Sequence, residues 1–382
     1  MSVAIIRMGI PALMPLIKEG LRLTRTEVGF VSSVLNGGAA VAGIPVGKAV
    51  DRLGERWVIA YVAMASGFFI MGVNWASTFM MLLPVLLLTG VATGSSAPAG
   101  GKAIIGWFPE RERGTAMGLR QMATPLGGAI AAMTLPPLAL TFGWRFAFVF
   151  AGIFAIGIGL GALYLYKEPP GLDLRAGEAQ ATGFKELLLR KDIWAVLIYV
   201  FILAGGQWCY LTYLLLYLTE NVHLPLTLAG SLLAVGQLCG AAGRIVWGFL
   251  SDRAAGGRRG PVLLLIGLVT VFLILVTSLF SPKTPVWLVS LTVALLGLTL
   301  RGWNGLTLTL ASELVGVQVA GLAVGLTNTV GYVGIIALPP VFGFLVDQTN
   351  SYRLAWMVLA GMIMIALVPL RWAKEGKGEN QA

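Results

Sequence analysis

The feature that most constrains this sequence is a series of long apolar segments separated by short polar breaks. A stretch of about 20 apolar residues can cross the hydrocarbon core of a bilayer as one helix. Hydrophobic residues make up 57% of the 382 residues and charged residues only 12%, whereas soluble domains carry about 25% charged residues. So few charges cannot cover a globular surface, and the sequence therefore predicts an all-α membrane protein.

We predict twelve transmembrane helices in two sets of six, separated by the longest polar stretch of the sequence. The first set lies near Ser2–Gly20, Glu27–Val46, Trp57–Trp75, Thr78–Phe108, Gly114–Thr141 and Trp144–Tyr166. The second set lies near Asp192–Thr219, Thr227–Leu250, Pro261–Phe280, Pro285–Ala311, Gly316–Val346 and Arg353–Trp372.

The predicted domain organisation follows from these spans. Residues 1–166 form a first six-helix bundle, 167–191 a cytoplasmic linker, 192–372 a second six-helix bundle and 373–382 a cytoplasmic tail. Helix one is shorter than helix seven at its predicted inner end. We therefore expect either that residues are missing before Met1 or that the helix is truly shortened.

The net charge of +10 is distributed as membrane topology requires. Lysine and arginine concentrate in the loops that share a side with the amino terminus, so the positive-inside rule places both termini in the cytoplasm. We therefore expect a multi-pass protein of the cytoplasmic (plasma) membrane. No compact basic run with interleaved aromatic residues is present in the sequence, which argues against nucleic acid as a partner.

The two predicted halves repeat one another. Three residues of the first half, Gly47, Asp51 and Arg52, recur at one constant interval as Gly248, Asp252 and Arg253. Several such matches in the same order indicate a duplication. Duplicated halves are typical of secondary transporters, which expose a solute to the two sides of the membrane in turn.

The segment Gly47–Arg56 closely resembles the loop signature between helices two and three of the major facilitator superfamily, and Gly248–Arg253 resembles its copy between helices eight and nine. The resemblance implies two pseudo-symmetric six-helix bundles. It also implies that the signature residues hold the inner side closed through loop contacts. These residues are Gly47, Asp51, Arg52, Gly54, Arg56, Gly248, Asp252 and Arg253.

By analogy with that superfamily, Asp51 caps helix eleven near Gly316, and Asp252 caps helix five near Gly114. An acid at the amino end of a helix is favoured by the helix dipole. For Arg56 the simpler interpretation is an anchor in the headgroup region.

Cations inside the predicted spans are the most informative feature for function. The five are Arg7, Lys102, Arg120, Arg244 and Arg301, and no Asp or Glu lies at comparable depth in the sequence. A cation at the bilayer centre costs about 2.5–3.5 kcal/mol even on a lenient scale, so an anion is the natural partner. Lys102 and Arg120 are close enough to the inner surface to snorkel.

Arg244 lies in Gly243–Gly248, a segment that resembles helix eight of monocarboxylate and oxalate/formate transporters. The resemblance implies that Arg244 binds a substrate carboxylate. Helix one, with Arg7 before Pro11, resembles that of cyanate-permease-like members. The lysine that oxalate/formate exchangers carry in helix eleven is absent from this sequence, which disfavours dicarboxylate exchange.

We expect Arg244, Arg7 and then Arg301 to bind the anion, with polar or aromatic neighbours completing the site. Each neighbour is about as well explained by an interhelical hydrogen bond. The candidate neighbours are Asn36, Gln121, Gln207, Trp208, Gln237, Asn304, Asn328 and Tyr332.

These residues predict a secondary active transporter of a small organic anion, with a monocarboxylate as the first interpretation and proton symport or anion exchange as the coupling. The alternative is a proton-driven exporter of drugs or other apolar compounds, which usually needs a membrane-embedded acid. We expect no enzyme activity, no cofactor and no metal, because the sequence offers no catalytic or ligand constellation. The expected partners are the anionic solute and the lipid bilayer, and we expect a monomer.

Overall fold

The computed structural model describes residues 1–53, 55–94, 110–166, 187, 189–315 and 319–370, without the side chains of residues 43–53, 55 and 110–120. Within these residues the chain forms α-helices and one short 3-10 helix, and no strand. The predicted all-α architecture is confirmed. The predicted continuation of helix four to Phe108 and most of the predicted linker lie outside the described residues.

The helices follow the predicted order. The first six are α1 (Ser2–Leu21), α2 (Arg25–Leu53), α3 (Glu55–Met71, extended by a 3-10 turn over Gly72–Trp75), α4 (Phe79–Gly94), α5 (Glu110–Phe142) and α6 (Trp144–Leu165). The others are α7 (Lys191–Glu220), α8 (Leu226–Arg253), α9 (Arg259–Ser278), α10a (Val286–Leu300), α10b (Asn304–Val315), α11 (Ala320–Thr349) and α12 (Tyr352–Leu370).

Nine helices in the described part of the chain are long and apolar enough to cross a membrane, with α10a and α10b taken together as the span Val286–Val315. The helix α4 is apolar but shorter. The helix α1 is 20 residues long and contains three charged residues, Arg7, Lys18 and Glu19. Repeated apolar helices of this length are those of a multi-pass membrane protein.

A capping box sets the start of α2. The backbone N–H of Glu27 donates to Oγ1 of Thr24 at 3.2 Å, and the N–H of Thr24 donates to Oε2 of Glu27 at 2.8 Å. This reciprocal pair satisfies N–H groups that a helix start otherwise leaves without partners. The helix therefore begins at Arg25, two residues before the predicted start.

The chain divides into two compact units. Unit 1 contains Met1–Glu178 and the short stretch Pro225–Ala234, and unit 2 contains Ala179–Leu224 and Val235–Ala382. These divisions come from contacts within the structure. The predicted boundaries of two six-helix bundles remain a prediction.

Close backbone contact joins α2 to α4 in unit 1. A Cβ atom on Gly90 would lie 2.1 Å from the carbonyl oxygen of Leu35, and one on Gly94 would lie 2.5 Å from Cα of Ala39. Distances this short leave no room for a methyl group. Small residues therefore allow the two backbones to approach, as is common in membrane helices.

The same contact joins α8 to α10a in unit 2. A Cβ atom on Gly297 would lie 2.1 Å from the carbonyl oxygen of Gly236, and one on Gly240 would lie 2.8 Å from Cβ of Arg301. Gly236 and Gly240 follow Leu35 and Ala39 by the interval that separates Asp252 from Asp51. The equivalent contacts agree with the predicted duplication.

Helix ten is interrupted, whereas the sequence predicts one continuous helix over Pro285–Ala311. The interruption covers Arg301–Trp303 and separates α10a from α10b. At its edge the backbone N–H of Arg301 donates to the carbonyl of Gly297 at 3.3 Å. The N–H of Gly302 donates to Thr299 at 3.2 Å.

Two indole N–H groups donate to the remaining carbonyls at the end of α10a. Nε1 of Trp247, from α8, donates to the carbonyl of Leu298 at 2.8 Å. Nε1 of Trp303 donates to the carbonyl of Leu300 at 2.9 Å. Each of the last four carbonyls of α10a therefore has a donor. Because an unsatisfied carbonyl costs several kcal/mol in hydrocarbon, these bonds explain how the span can break within the membrane.

We predict that Gly297→Ala destabilises the protein strongly. The three atoms nearest to the added methyl group are backbone atoms of Gly236, so it can be accommodated only if α8 and α10a separate. The measurement is the thermal unfolding midpoint of the purified protein in detergent.

Gly361→Ala is the matched control, because a Cβ atom there meets nothing within 4 Å. Alanine favours a helix interior over glycine by about 0.5–1 kcal/mol, so this variant should keep or raise the midpoint. Equal midpoints for the two variants would contradict the close contact of α8 with α10a.

Candidate functional site

Arg7 is held by a neutral amide in unit 1. Its Nη2 donates to Oδ1 of Asn36. Nδ2 of Asn36 donates in turn to the backbone carbonyl of Ser32, one turn earlier on α2, at 2.7 Å. This second bond fixes the orientation of the amide, so that its oxygen faces Arg7. The contact orients the guanidinium group but, because Asn36 is uncharged, does not neutralise it.

Asn36 and Gln237 occupy equivalent positions in the repeat and share the same environment. Asn36 is 0% exposed and Gln237 is 1% exposed. A fully buried amide is costly unless it forms hydrogen bonds. Both side chains are therefore built into the interior of their own unit, and Asn36 uses this position to orient Arg7.

Arg244 lies half-buried on α8, in a turn that is fixed on both sides. On one side, a Cβ atom on Gly243 would lie 2.2 Å from the carbonyl oxygen of Leu298. On the other side, the indole of Trp247 donates to that same carbonyl at 2.8 Å. The backbone that carries Arg244 is thus clamped against the end of α10a.

Arg301 is enclosed rather than accessible. Its side chain is 2% exposed and lies over Gly240, where a Cβ atom would be 2.8 Å from its Cβ and 3.1 Å from its Nε. It occupies the position just after α10a, where the negative end of the helix dipole favours a cation. Direct contact between Arg301 and a solute remains a prediction.

The other candidate neighbours differ in how far their side chains are buried. Trp208 is buried, and Gln207, next to it on α7, is half-buried. On α11, Asn328 is exposed and Tyr332 is half-buried. Asn304, the first residue of α10b, is half-buried, and Gln121 on α5 is exposed.

The loop signature is described in part. Gly54, the surroundings of Gly47 and the side chains of Asp51 and Arg52 lie outside the described part of the structure, as does the predicted cap near Gly316. Nη2 of Arg56 donates to the backbone carbonyl of Leu163 at the end of α6. The contact joins α3 to α6, and an anchor in the headgroup region stays a prediction.

In the second signature, Asp252 pairs with Arg259 at the start of α9. The same guanidinium group donates to Oγ of Ser251 at 2.9 Å and contacts Oε1 of Glu313 at 3.4 Å. Arg259 thus links the ends of α8, α9 and α10b. The sequence analysis assigned it no such role, because nothing local to Arg259 indicates a partner on α10b.

Two further signature residues stand apart from this network. The guanidinium of Arg253 lies over the ring of Phe249, 4.8 Å from its centroid. Gly248 has open space where a side chain would begin. The predicted cap of helix five by Asp252 stays a prediction, since the side chains around Gly114 lie outside the described residues.

Comparison with known proteins settles the family. The sequence profile described as Major Facilitator Superfamily matches residues 1–339. The chain belongs to the major facilitator superfamily. It is therefore a membrane transporter and not an enzyme, and the predicted major facilitator fold is confirmed.

Individual members of the superfamily resemble the whole chain. The probable sulfoacetate transporter SauU of Cupriavidus necator is 28% identical over 381 residues, which is 94% of this chain and 87% of that protein. The probable L-galactonate transporter of Escherichia coli is 26% identical over 376 residues, which is 92% of this chain and 81% of that protein.

Among solved structures, a bacterial homolog of the human lysosomal transporter Spinster, in an inward-facing and occupied conformation, superposes with a TM-score of 0.83. The matched region covers 97% of this chain and 94% of the chain in that structure, at 15% sequence identity. This likeness supports the fold alone.

We predict that Asn36→Leu destabilises this transporter and that adding Arg7→Met restores most of the loss. Leucine removes the oxygen that accepts from Arg7, and a buried polar group that loses its partner costs about 1–3 kcal/mol. Methionine removes the charge that needed that oxygen. Thermal unfolding midpoints of the two single variants and the double variant give the coupling between the residues. Losses that simply add would contradict the described contact.

Proposed function

We propose that this protein carries a small organic anion across the membrane, with monocarboxylates as the first class of substrate. The observation that carries the proposal is the placement of Arg7 and Arg244, two half-buried guanidinium groups within membrane helices. Cations at such depth are expensive and usually mark the path of a substrate or ion.

The chemistry of the arginine side chain favours a carboxylate as its ligand. A guanidinium group presents a planar fork of N–H donors that can bind both oxygens of one carboxylate. One Nη group of Arg7 donates to Asn36. This bond orients the guanidinium group without neutralising it, because Asn36 is uncharged. An anion can therefore meet a cation that is already oriented.

Arg244 is supported by the clamp on its helix turn. Gly243 and Trp247 both contact the carbonyl of Leu298, so the position of Arg244 depends on α10a as well as on α8. Binding groups held in place lose less entropy when a ligand arrives. We assign direct binding to Arg7 and Arg244, and assign to the enclosed Arg301 a contribution through its charge.

The named substrates of similar proteins support an organic anion. Sulfoacetate and L-galactonate are both carboxylates, and so are hexuronates, which a transporter of Bacillus subtilis 27% identical to this chain carries by name. L-Galactonate and hexuronates have one carboxylate each. For coupling we propose proton symport or anion exchange, which differ in whether uptake responds to a pH gradient or to an anion on the opposite side.

We predict that Arg7→Ala and Arg244→Ala each raise the KM for anion uptake about tenfold or more. Hydrogen bonds to charged groups contribute about 1.5–3 kcal/mol, and each variant removes such bonds to the substrate. The measurement is uptake of labelled lactate, acetate, formate and gluconate by proteoliposomes, with a pH gradient or with an internal anion.

Arg353→Ala serves as the control, because it removes the same charge from an exposed position at the start of α12. Its KM should equal that of the wild type. Absence of uptake of every anion by the wild type, or equal effects of all three substitutions, would refute the proposal.

A further inference from the structure

Several neutral polar side chains in the membrane helices of unit 2 have no hydrogen-bond partner among the described residues, and three of them lie on two neighbouring helices. They are Asn304 on α10b and Asn328 and Tyr332 on α11, and we call them the neutral patch. Asn328 is exposed and the other two are half-buried. The amides and the phenol can both donate and accept hydrogen bonds.

The patch lies deep within the spans. Tyr332 is twelve positions after the first residue of α11, which is about 18 Å at 1.5 Å per residue. That depth is near the middle of a hydrocarbon core of about 30 Å. Asn304 begins the second part of the span Val286–Val315, so it is also far from both helix ends.

Contacts with α7 place Asn304 and Tyr332 at a similar height. Trp303, the residue before Asn304, packs edge-on against Tyr199 with ring centroids 6.1 Å apart. Gly331, the residue before Tyr332, faces Val200, whose Cγ1 would lie 3.1 Å from a Cβ atom at that glycine. Tyr199 and Val200 are consecutive on α7.

One helix contact and one helix spacing complete the arrangement. The helices α10b and α11 pack against each other, and Asn328 lies one turn before Tyr332 on the same side of α11. The three residues therefore lie at a similar height on two helices that pack against each other. Gln207 on α7 also has no hydrogen-bond partner among the described residues, but no contact places it beside the other three, and we leave it out.

Polar groups at this depth need hydrogen-bond partners. Without a hydrogen bond, an amide or hydroxyl in an apolar environment costs about 1–3 kcal/mol in proteins. Thr329, the neighbour of Asn328, shows the contrast, because its hydroxyl donates to the carbonyl of Gly325 at 2.9 Å. The neutral patch has no such partner among the residues that the structure describes, so we expect water or a polar solute to supply one.

We infer that the neutral patch forms hydrogen bonds to hydroxyl groups of the substrate, and that the transported anions are hydroxylated carboxylates. This inference rests on the proposed function and narrows it. A hydroxyl group both donates and accepts, so it matches amides and a phenol equally well.

The physical basis is an asymmetry in binding. A solute without hydroxyls that displaces water from the patch leaves the three side chains without partners, whereas a hydroxylated solute replaces the lost bonds. Sites built to bind a hydroxyl reject analogues that lack it far more strongly than apolar pockets reject an extra group. Selection against simple fatty acids of the same charge follows from this difference.

The test compares anions that share charge and chain length but differ in hydroxyl groups. Glycerate is paired with propionate, and gluconate with hexanoate. Each competes for uptake of labelled glycerate or gluconate into proteoliposomes containing the full chain. We expect the hydroxylated member of at least one pair to compete at a concentration about tenfold or more below its deoxy counterpart, because each hydrogen bond contributes about fivefold.

Tyr332→Phe and Asn328→Leu should each lower this ratio by about fivefold through weaker binding of the hydroxylated acid, with the deoxy acid unchanged. Thr329→Val is the matched control on the same helix, and it should leave the ratio unchanged because its hydroxyl is used within α11. A loss confined to the hydroxylated acid excludes a merely structural effect, which would weaken both.

The outcomes separate this inference from the proposed function. Equal competition by both members of each pair in the wild type would overturn the inference and leave anion transport standing. Ratios that the two substitutions leave unchanged would also overturn it. Absence of uptake and competition for every anion tested would overturn the proposed function, and this inference with it.

Discussion

Hydrocarbon offers no hydrogen bonds, and this constraint governs the arrangement of unit 2. Helix ten can break at Arg301–Trp303 only because donors are supplied to the last four carbonyls of α10a. One of those donors is the indole of Trp247. A side chain at Gly302 would collide with that indole, since a Cβ atom there would lie 2.6 Å from Cδ1 of Trp247.

The break in turn positions the charges. Arg301 sits at the end of α10a, where the helix dipole favours a cation, and Gly240 leaves the room that its side chain fills. The clamp at Leu298 fixes the turn that carries Arg244. In unit 1 the cation is positioned by a hydrogen bond instead. Arg7 donates to the amide of Asn36, and the backbone of α2 sets the orientation of that amide. The bond from Arg7 to the uncharged Asn36 thus orients a cation without neutralising it, which suits the proposed binding of an anion.

Much of the fold could be predicted because its signals are local. The length of the apolar segments alone locates the spans. The interval between Asp51 and Asp252 indicates a duplication, and the close contacts of α2 with α4 and of α8 with α10a recur at that interval. The start of α2 was missed by two residues, although Thr24 and Glu27 form a recognisable capping box. The break in helix ten could not be predicted, because it depends on Trp247, which lies far away in the sequence and on another helix.

For the candidate site, the sequence identified Arg7 and Asn36 separately but not as a pair, since pairing requires the packing of α1 against α2. Arg301 was recognised as a cation inside a span, yet its enclosure depends on the absence of a side chain at Gly240. Asn304, Asn328 and Tyr332 were candidates on the same footing as the buried Asn36. Only the hydrogen bonds of the folded chain distinguish Asn36, which is bonded within unit 1, from side chains that have no partner among the described residues.

The central claim is that the guanidinium groups bind the negative charge of the solute. The most direct measurement compares gluconate with gluconamide, which keeps every hydroxyl but carries no charge, as stabilisers of the purified protein against thermal unfolding. The account predicts that the unfolding midpoint rises with increasing gluconate and stays constant with gluconamide. An equal rise with both compounds would contradict it.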